Sequence, residues 1–297
     1  MAHAHTTQAP TDKYYVPHGS PWPIVGSVAL FTTVAGAALW INDAAAGPFV
    51  MGVGLLILIT MFAGWFGTVI SESEGRLYNS AVDRSFRMGM MWFIFSEVMF
   101  FAAFFGALFY ARQLSIPWLG GEGAKAVTSL LWPEFDAGWP SNGPGVLSPR
   151  DDGSYEIIPA FGLPAINTAL LLTSGLTITV AHHALKSAHR GILKVFLALT
   201  FLLGFIFLGV QVMEYGHAYH ELGLQLGTGI YGSTFFMLTG FHGLHVLVGP
   251  IMLTVIWLRC LKGHFTPRQH FAFEAVAWYW YFVVVVWLGL FIFVYWI

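Results

Sequence analysis

The sequence predicts an all-α membrane protein with seven transmembrane helices, and composition together with apolar run length leads to this class. Of the 297 residues, 57% are hydrophobic and only 9% are charged, whereas a soluble domain carries about a quarter charged residues. The apolar residues also form runs of roughly 20 residues or more, which is the length a helix needs to cross a bilayer core about 30 Å thick. The net charge of -2 offers no basic surface, so nucleic-acid binding is excluded.

Proline, glycine and charged residues separate the apolar runs and mark the ends of the helices. The predicted spans cover residues 22–41, 48–70, 88–111, 159–181, 195–218, 229–258 and 271–297. We expect the first span to be retained, because the residues before it lack the apolar segment of a cleavable signal. The predicted domains are an N-terminal cytoplasmic segment 1–21, a two-helix transmembrane hairpin 22–70 and a five-helix bundle 71–297 with a long outer loop at 112–158.

The distribution of Lys and Arg predicts the orientation, because positive residues favour the side from which helices are inserted. Ten of the 13 Lys and Arg residues fall on the side of the N-terminus: Lys13, Arg76, Arg84, Arg87, Lys186, Arg190, Lys194, Arg259, Lys262 and Arg268. The N-terminus is therefore predicted to be cytoplasmic and the C-terminus periplasmic. The outer loop 112–158 is expected to pack on a partner or on the bundle, because about 47 residues without periodicity are unusual unless functional or flexible.

Glu97 lies in the apolar stretch WFIFSEVMFF, near the middle of the third span. An ionised acid at the membrane centre costs roughly 2.5 to 3.5 kcal/mol on insertion scales, so such groups are usually functional, paired or protonated. The residues one and two turns away on the same helix are apolar. The predicted partner is therefore His245, or His242 one turn earlier, on the sixth span. Two interpretations remain open, a hydrogen-bonded structural acid and a group that handles protons.

Histidine pairs are the next candidates for chemistry, since they can hold haem or a metal ion. The pairs are His217 with His220, His242 with His245, and the neighbours His182 and His183. Metal sites in bundles combine several helices with carboxylates at one depth, whereas most of these histidines lie near span ends. We therefore predict no metal ligand and no catalytic residue in this chain. The single cysteine, Cys260, excludes an internal disulfide and a CxxC site.

Five stretches of the chain resemble subunit III of the haem-copper terminal oxidases, in the cytochrome c oxidase branch. They are SPWP (20–23), FRMGMMWFIFSEVMFF (86–101), LPAINTALLLTSGLTITVAHHAL (163–185), YGSTFFMLTGFHGLHVLVG (231–249) and HFAFEAVAWYWYFVVVVWL (270–288). The resemblance implies a subunit of the respiratory complex that carries no haem or copper itself. Its expected partners are the catalytic subunit I and the copper-bearing subunit II, with cytochrome c as electron donor to the complex. Its implied role is to sustain proton uptake and to protect the catalytic subunit from inactivation during turnover.

The resemblance also implies residue roles and bound lipid. Glu97 takes the position of the family's intramembrane glutamate, which reacts with hydrophobic carbodiimides. A V-shaped cleft between the first two helices and the other five is expected to hold structural phospholipid, with Trp65, Glu72 and Arg259 near the head groups. A guanidinium suits a phosphate at the interface, while Trp65 fits an ordinary interfacial aromatic equally well. The long outer loop favours a bacterial plasma membrane over the mitochondrial inner membrane.

The sequence departs from the family pattern in the last helix. Where the family usually reads WYWHFVDVVWL, this chain has Tyr281 and Val284 in place of the histidine and the aspartate, so a role for that pair is not carried over. The alternative to an oxidase subunit is a stand-alone seven-helix transporter or channel that uses Glu97 and the histidines as a relay. Transporters commonly show broken helices and several polar residues at midplane, and this chain has few of these features.

Overall fold

The computed structural model describes residues 14–17, 19–145 and 154–296. Lys13 and most of the predicted N-terminal segment 1–21 lie outside these residues. The described helices are α1 Trp22–Ile41, α2 Gly47–Glu74, α3 Ser80–Tyr110, α4 Ile116–Leu119, α5 Leu163–Lys186, α6 Arg190–His220, α7 Gly229–Leu261 and α8 Phe271–Leu290. The described residues contain no β-strand, so the predicted all-α class is confirmed.

Within the described residues, seven helices are long and apolar enough to cross a membrane, which confirms the predicted number of spans. The third of these continues from α3 through a π-helical turn, Ala111–Ser115, into the short helix α4. The seventh continues from α8 through a π-helical segment, Phe291–Trp296. With these extensions the two spans are 40 and 26 residues long, more than the roughly 20 residues that the bilayer core requires.

Helix α3 begins well before the predicted residue 88, because Asn79 caps it. The Asn79 side-chain oxygen accepts hydrogen bonds from the backbone N–H groups of Ala81 and Val82, at 3.1 and 3.0 Å, which satisfies donors that a helix start leaves open. Arg87, which the sequence placed in a loop, therefore lies on the helix and donates to Asp83 one turn earlier, at 2.7 Å.

The outer loop 112–158 contains more regular structure than the sequence indicated. Besides the helical continuation to Leu119, a 3-10 helix covers Gly123–Leu131. The loop also packs on the bundle through backbone hydrogen bonds: the Glu156 N–H donates to the Leu222 carbonyl at 2.8 Å, and the Tyr231 N–H donates to the Ser141 carbonyl at 3.1 Å.

The chain divides into two compact units, Met1–Met88 and Gly89–Ile297, with the boundary inside α3. In the first unit, α1 and α2 pack as a hairpin whose backbones approach closely at glycines. A Cβ atom added to Gly36 would lie 2.2 Å from the Met51 nitrogen, and one added to Gly54 would lie 2.4 Å from the Thr33 nitrogen. Small residues of this kind allow helices to associate where lipid removes the hydrophobic driving force.

In the second unit, α5, α6, α7 and α8 form a bundle in which each helix packs on the next and α5 also packs on α8. The buried residues alternate at spacings of three and four, the pattern of a helical seam in left-handed bundles. On α6 the seam consists of Leu193, Leu197, Thr200, Gly204, Phe207, Gln211, Glu214 and Ala218. Three polar side chains, Thr200, Gln211 and Glu214, are thereby directed into the bundle.

Trp280 of α8 lies at the centre of this bundle and is fully buried. Its indole N–H donates to the Ser174 hydroxyl of α5 at 3.0 Å. A Cβ atom added to Gly204 of α6 would lie 2.8 Å from the ring, and one added to Gly249 of α7 would lie 2.5 Å from it. One indole ring therefore contacts all three neighbouring helices in space that two glycines leave open.

Candidate functional site

Glu97 of α3 and His245 of α7 form a contact between two helices. His245 Nε2 lies 2.8 Å from Glu97 Oε2, and the two side chains are 13% and 22% exposed. The imidazole ring is surrounded by Phe101 at 5.0 Å and Phe100 at 6.0 Å between ring centroids. The polar contact is therefore enclosed by aromatic side chains but still reachable from the surface of the chain.

The second nitrogen of His245 determines how many protons this contact holds. His245 Nδ1 lies 2.6 Å from the carbonyl oxygen of Phe241, and a carbonyl only accepts, so Nδ1 carries a hydrogen. Nε2 of a neutral imidazole is then an acceptor. The contact with Glu97 consequently needs one proton, held either as a carboxylic acid that donates to Nε2 or as an imidazolium that donates to the carboxylate.

His242, the second predicted partner of Glu97, forms its hydrogen bond elsewhere. It is fully buried, and its Nε2 donates to the Val283 carbonyl of α8 at 3.0 Å. Its ring packs against Trp287 at 5.2 Å and Phe207 at 5.7 Å. The structure thus brings His245 to Glu97, while His242 joins α7 to α8 inside the bundle.

Glu72, predicted near lipid head groups, accepts hydrogen bonds from two phenols. Tyr15 donates to one carboxylate oxygen at 3.0 Å and Tyr78 to the other at 2.6 Å. Burial, and next the hydrogen bond to Glu72, raise the pKa of the Tyr78 phenol above its usual range, and the same causes raise the pKa of Tyr15. Both phenols therefore stay protonated donors at neutral pH. Trp65, on the same helix, is half exposed and stacks on Phe66 at 5.9 Å.

Arg259, the third residue predicted near lipid, lies near the end of α7 and is largely buried. Its guanidinium carbon lies 4.5 Å from the centre of the Phe265 ring, the distance of a cation–π contact. The carbonyl of Phe265 accepts a hydrogen bond from Arg190 at 2.5 Å. Phe265, in the loop between α7 and α8, therefore contacts two arginines, one near the end of α7 and one at the start of α6.

Glu214 of α6 is a buried acid that was not among the predicted site residues. It is 0% exposed, and its Oε1 accepts a hydrogen bond from the Tyr295 hydroxyl at 2.5 Å. Its Oε2 has no hydrogen-bond partner among the described residues. The spacing of three from Gln211 and four to Ala218 on the α6 seam was the signal that could have identified it.

Tyr281 and Val284, the two residues that depart from the family pattern in the last helix, carry no charge and make uncharged contacts. The Tyr281 hydroxyl donates to Thr179 of α5 at 2.8 Å, while that threonine donates to the Gly175 carbonyl. Val284 is buried in the apolar core. The residues that replace the family's histidine and aspartate therefore contribute a neutral hydrogen bond and apolar packing.

Comparison with known proteins identifies the family. Residues 12–297 match the family model of cytochrome c oxidase subunit III. Proteins named cytochrome c oxidase subunit 3 are similar along almost their full length: that of Struthio camelus is 38% identical over 285 residues, covering 96% of this chain and 97% of the relative. That of Oryctolagus cuniculus is 38% identical over 287 residues, covering 96% and 97%, and that of Petromyzon marinus is 39% identical over 283 residues, covering 95% and 96%. The chain belongs to the cytochrome c oxidase subunit III family.

Proposed function

We propose that this chain is the non-redox accessory subunit of a proton-pumping cytochrome c oxidase. The observation that carries the proposal is the family match over residues 12–297. In this role the chain packs against the catalytic subunit I, next to the copper-bearing subunit II, and cytochrome c delivers electrons to the complex. Haem and copper are held by those partners, and this chain protects the catalytic subunit from inactivation during turnover and supports proton uptake.

The interior of the second unit supports a packing role. Its core consists of close-packed apolar and aromatic side chains around Trp280 and Trp287, while large apolar residues such as Trp92, Phe95 and Met99 are exposed on one side of α3. Exposed apolar surface of this kind suits lipid chains or a partner helix. The one-proton contact between Glu97 and His245 supports a link to proton handling.

Phospholipid binding is part of the proposal. Arg259 at the end of α7 and the Trp65 and Glu72 side chains of α2 lie near the ends of apolar helices, where head groups are found. The proposed membrane is a bacterial plasma membrane with the N-terminus in the cytoplasm and the C-terminus in the periplasm. The charge distribution supports this orientation. The relatives named above are vertebrate proteins, so the length of the loop 112–158 is what supports a bacterial membrane.

Selective removal of this chain from the purified complex tests the proposed role. The stripped complex should begin to reduce oxygen at close to the normal rate and then lose activity over successive turnovers faster than the intact complex. Re-addition of the chain should restore the lifetime. An immediate and complete loss of oxygen reduction, with the haem spectrum unchanged, would contradict an accessory role.

Purification in mild detergent separates this proposal from a stand-alone transporter or channel. An affinity tag on this chain should recover haem absorbance and copper together with it. A colourless, self-sufficient protein would exclude the oxidase role.

A further inference from the structure

Three potential ligands converge where α5 ends and α8 begins. His182 lies on the last turns of α5, His270 directly precedes α8, and Glu274 lies in the first turn of α8. Glu274 Oε1 is 3.1 Å from His270 Nε2 and 3.6 Å from His182 Nε2. One ligand atom from each of the three lies within 4.8 Å of the others.

The hydrogen bonding of His270 shows that this cluster needs a proton or another cation at its centre. His270 Nδ1 lies 3.0 Å from the Thr266 carbonyl, so Nδ1 carries the hydrogen and Nε2 of the neutral ring is a bare acceptor. That acceptor faces an acceptor oxygen of Glu274. The Nε2 atoms of His182 and His270 are both buried, and neither makes a hydrogen bond with any described residue. Acceptors so close together repel each other unless a cation lies between them.

Packing holds the cluster in place before any ion binds. His270 is only 8% exposed. The two imidazole rings lie 5.6 Å apart, and the His182 ring lies 5.4 Å from the Phe273 ring. The Thr266 carbonyl fixes the orientation and tautomer of His270, as outer-shell carbonyls commonly do for metal-binding histidines. Rigid ligands of this kind lose little freedom when an ion is bound.

We propose that His182, His270 and Glu274 bind a divalent metal ion of the zinc class, through two imidazole nitrogens and one carboxylate oxygen, with water as the fourth ligand. Zinc bonds to nitrogen and oxygen are about 2.0 to 2.2 Å long, so neighbouring ligands in a tetrahedral site lie about 3.4 Å apart. The observed 3.1 and 3.6 Å separations lie on either side of that value. Imidazole and carboxylate together suit zinc among the divalent ions. The bound ion would join the end of α5 to the start of α8.

This proposal replaces the sequence expectation that the chain binds no metal. His182 was considered with its neighbour His183, which is exposed. The ligands that complete the cluster come from the residue before α8 and from its first turn, far along the sequence, and no local spacing connects them to α5. The proposal is independent of the role of the chain in the oxidase.

Zinc binding to the whole purified complex tests the site. The complex is treated with a chelator, dialysed, and titrated with radioactive Zn²⁺ in mild detergent. The intact complex should bind one more tight zinc ion than the Glu274→Gln complex, whose affinity at this site should be at least a hundredfold weaker, given that outer-shell changes alone cost about 10 to 100-fold. Metal ions bound by the partner subunits are present in both samples, so they do not contribute to the difference in zinc content between the two complexes. His183→Gln, which changes the adjacent exposed histidine, should bind zinc as the unmodified complex does.

A second ligand change and a measurement on the unmodified complex complete the test. His182→Gln should lose the same zinc ion, since it removes a ligand from the other helix. Chelator-treated complex should also gain resistance of this chain to thermal unfolding on addition of Zn²⁺, because an ion that binds only the folded state stabilises it. Equal zinc content in the unmodified, Glu274→Gln and His182→Gln complexes, or no thermal effect of zinc, would overturn the proposal and would leave a proton as the cation between these acceptors.

Discussion

At the scale of single residues, the donor and acceptor atoms around Glu97 determine which hydrogen bond its carboxyl group can make. Its neighbours on α3 are apolar, and its hydrogen-bonding contact comes from His245 on α7 at 2.8 Å. Because His245 Nδ1 donates to the Phe241 carbonyl, a hydrogen bond between Nε2 and the carboxyl group needs one shared proton. The structural and the proton-handling interpretations of Glu97 differ only in whether this proton exchanges during turnover.

The variant Glu97→Gln should assemble normally, because the carboxamide can donate a hydrogen bond to His245 Nε2 in the same space. Labelling of this chain by a radioactive hydrophobic carbodiimide, which requires a carboxyl group, should disappear when the chain is resolved on a gel. Glu214→Gln is the matched control: Glu214 is 0% exposed, so its replacement should leave the labelling unchanged. Full labelling of Glu97→Gln would show that the reactive carboxyl lies elsewhere.

Proton pumping by the same Glu97→Gln complex distinguishes the two interpretations. We expect the number of protons pumped per electron to change only modestly. The carboxamide keeps the hydrogen bond to His245, although it cannot release a proton as a carboxyl group does. The measurement is pH change per turnover in reconstituted vesicles. Complete loss of pumping in an assembled complex would assign Glu97 an essential place in proton transfer.

Tyr295→Phe should destabilise the bundle, because it removes the hydroxyl that donates to the buried Glu214. A buried polar group left without its partner costs about 1 to 3 kcal/mol. Cys260, the single cysteine of the chain, is 1% exposed, so the temperature at which it reacts with a fluorescent maleimide reports unfolding. That temperature should fall for Tyr295→Phe. The control Tyr110→Phe, at a half-exposed phenol, should react at the normal temperature; equal behaviour of both variants would mean that Glu214 does not depend on this bond.

At the scale of helices, the seam of α6 follows a spacing of three and four that is visible in the sequence, whereas the buried acid on it was not among the predicted site residues. Glu214 lies near one end of α6, and its distance from the membrane boundary alone does not indicate burial. Burial inside a bundle depends instead on which face a residue occupies, and the spacing from Gln211 to Glu214 to Ala218 places it on the inner face. Tyr295 could not be predicted as its partner, since a contact between distant helices leaves no local pattern.

Gly204→Ala should destabilise the packing of α6 against its neighbours. The new methyl group would lie 2.6 Å from a Pro250 carbon and 2.8 Å from the Trp280 ring, and overpacking of this kind costs about 1 to 3 kcal/mol. The Cys260 reaction temperature should therefore fall. Gly209→Ala on the same helix has no atom within 4 Å of the new methyl group and gains helix propensity, so that control should be unchanged or more stable. A stable Gly204→Ala would contradict close contact of the indole with α6.

At the scale of the whole molecule, the number of spans was predictable because length and apolarity are properties of each segment alone. The starts of the helices were less predictable: the charged residues Arg84 and Arg87 suggested a loop, yet the Asn79 cap carries α3 past them. The His182, His270 and Glu274 cluster was not predictable, because it forms only when the end of α5 and the start of α8 meet.

Sidedness is the expectation that concerns the molecule as a whole. A membrane-impermeant maleimide applied to intact cells should label Glu134→Cys in the outer loop and should not label Lys262→Cys after α7; both positions are exposed. The native Cys260 is buried, so it should not react with the maleimide in the folded protein. Both variants should be labelled after detergent solubilisation, which controls for accessibility. The reverse pattern in intact cells would invert the proposed orientation.

The contact between α3 and α7 also bears on the order in which the chain is made. Synthesis proceeds from the N-terminus, so α3 enters the bilayer before the helix that carries His245 exists. An ionised Glu97 would then cost roughly 2.5 to 3.5 kcal/mol, and the protonated acid is the form that enters at low cost. The polar partner of Glu97 therefore reaches it only after α7 has followed α3 into the bilayer.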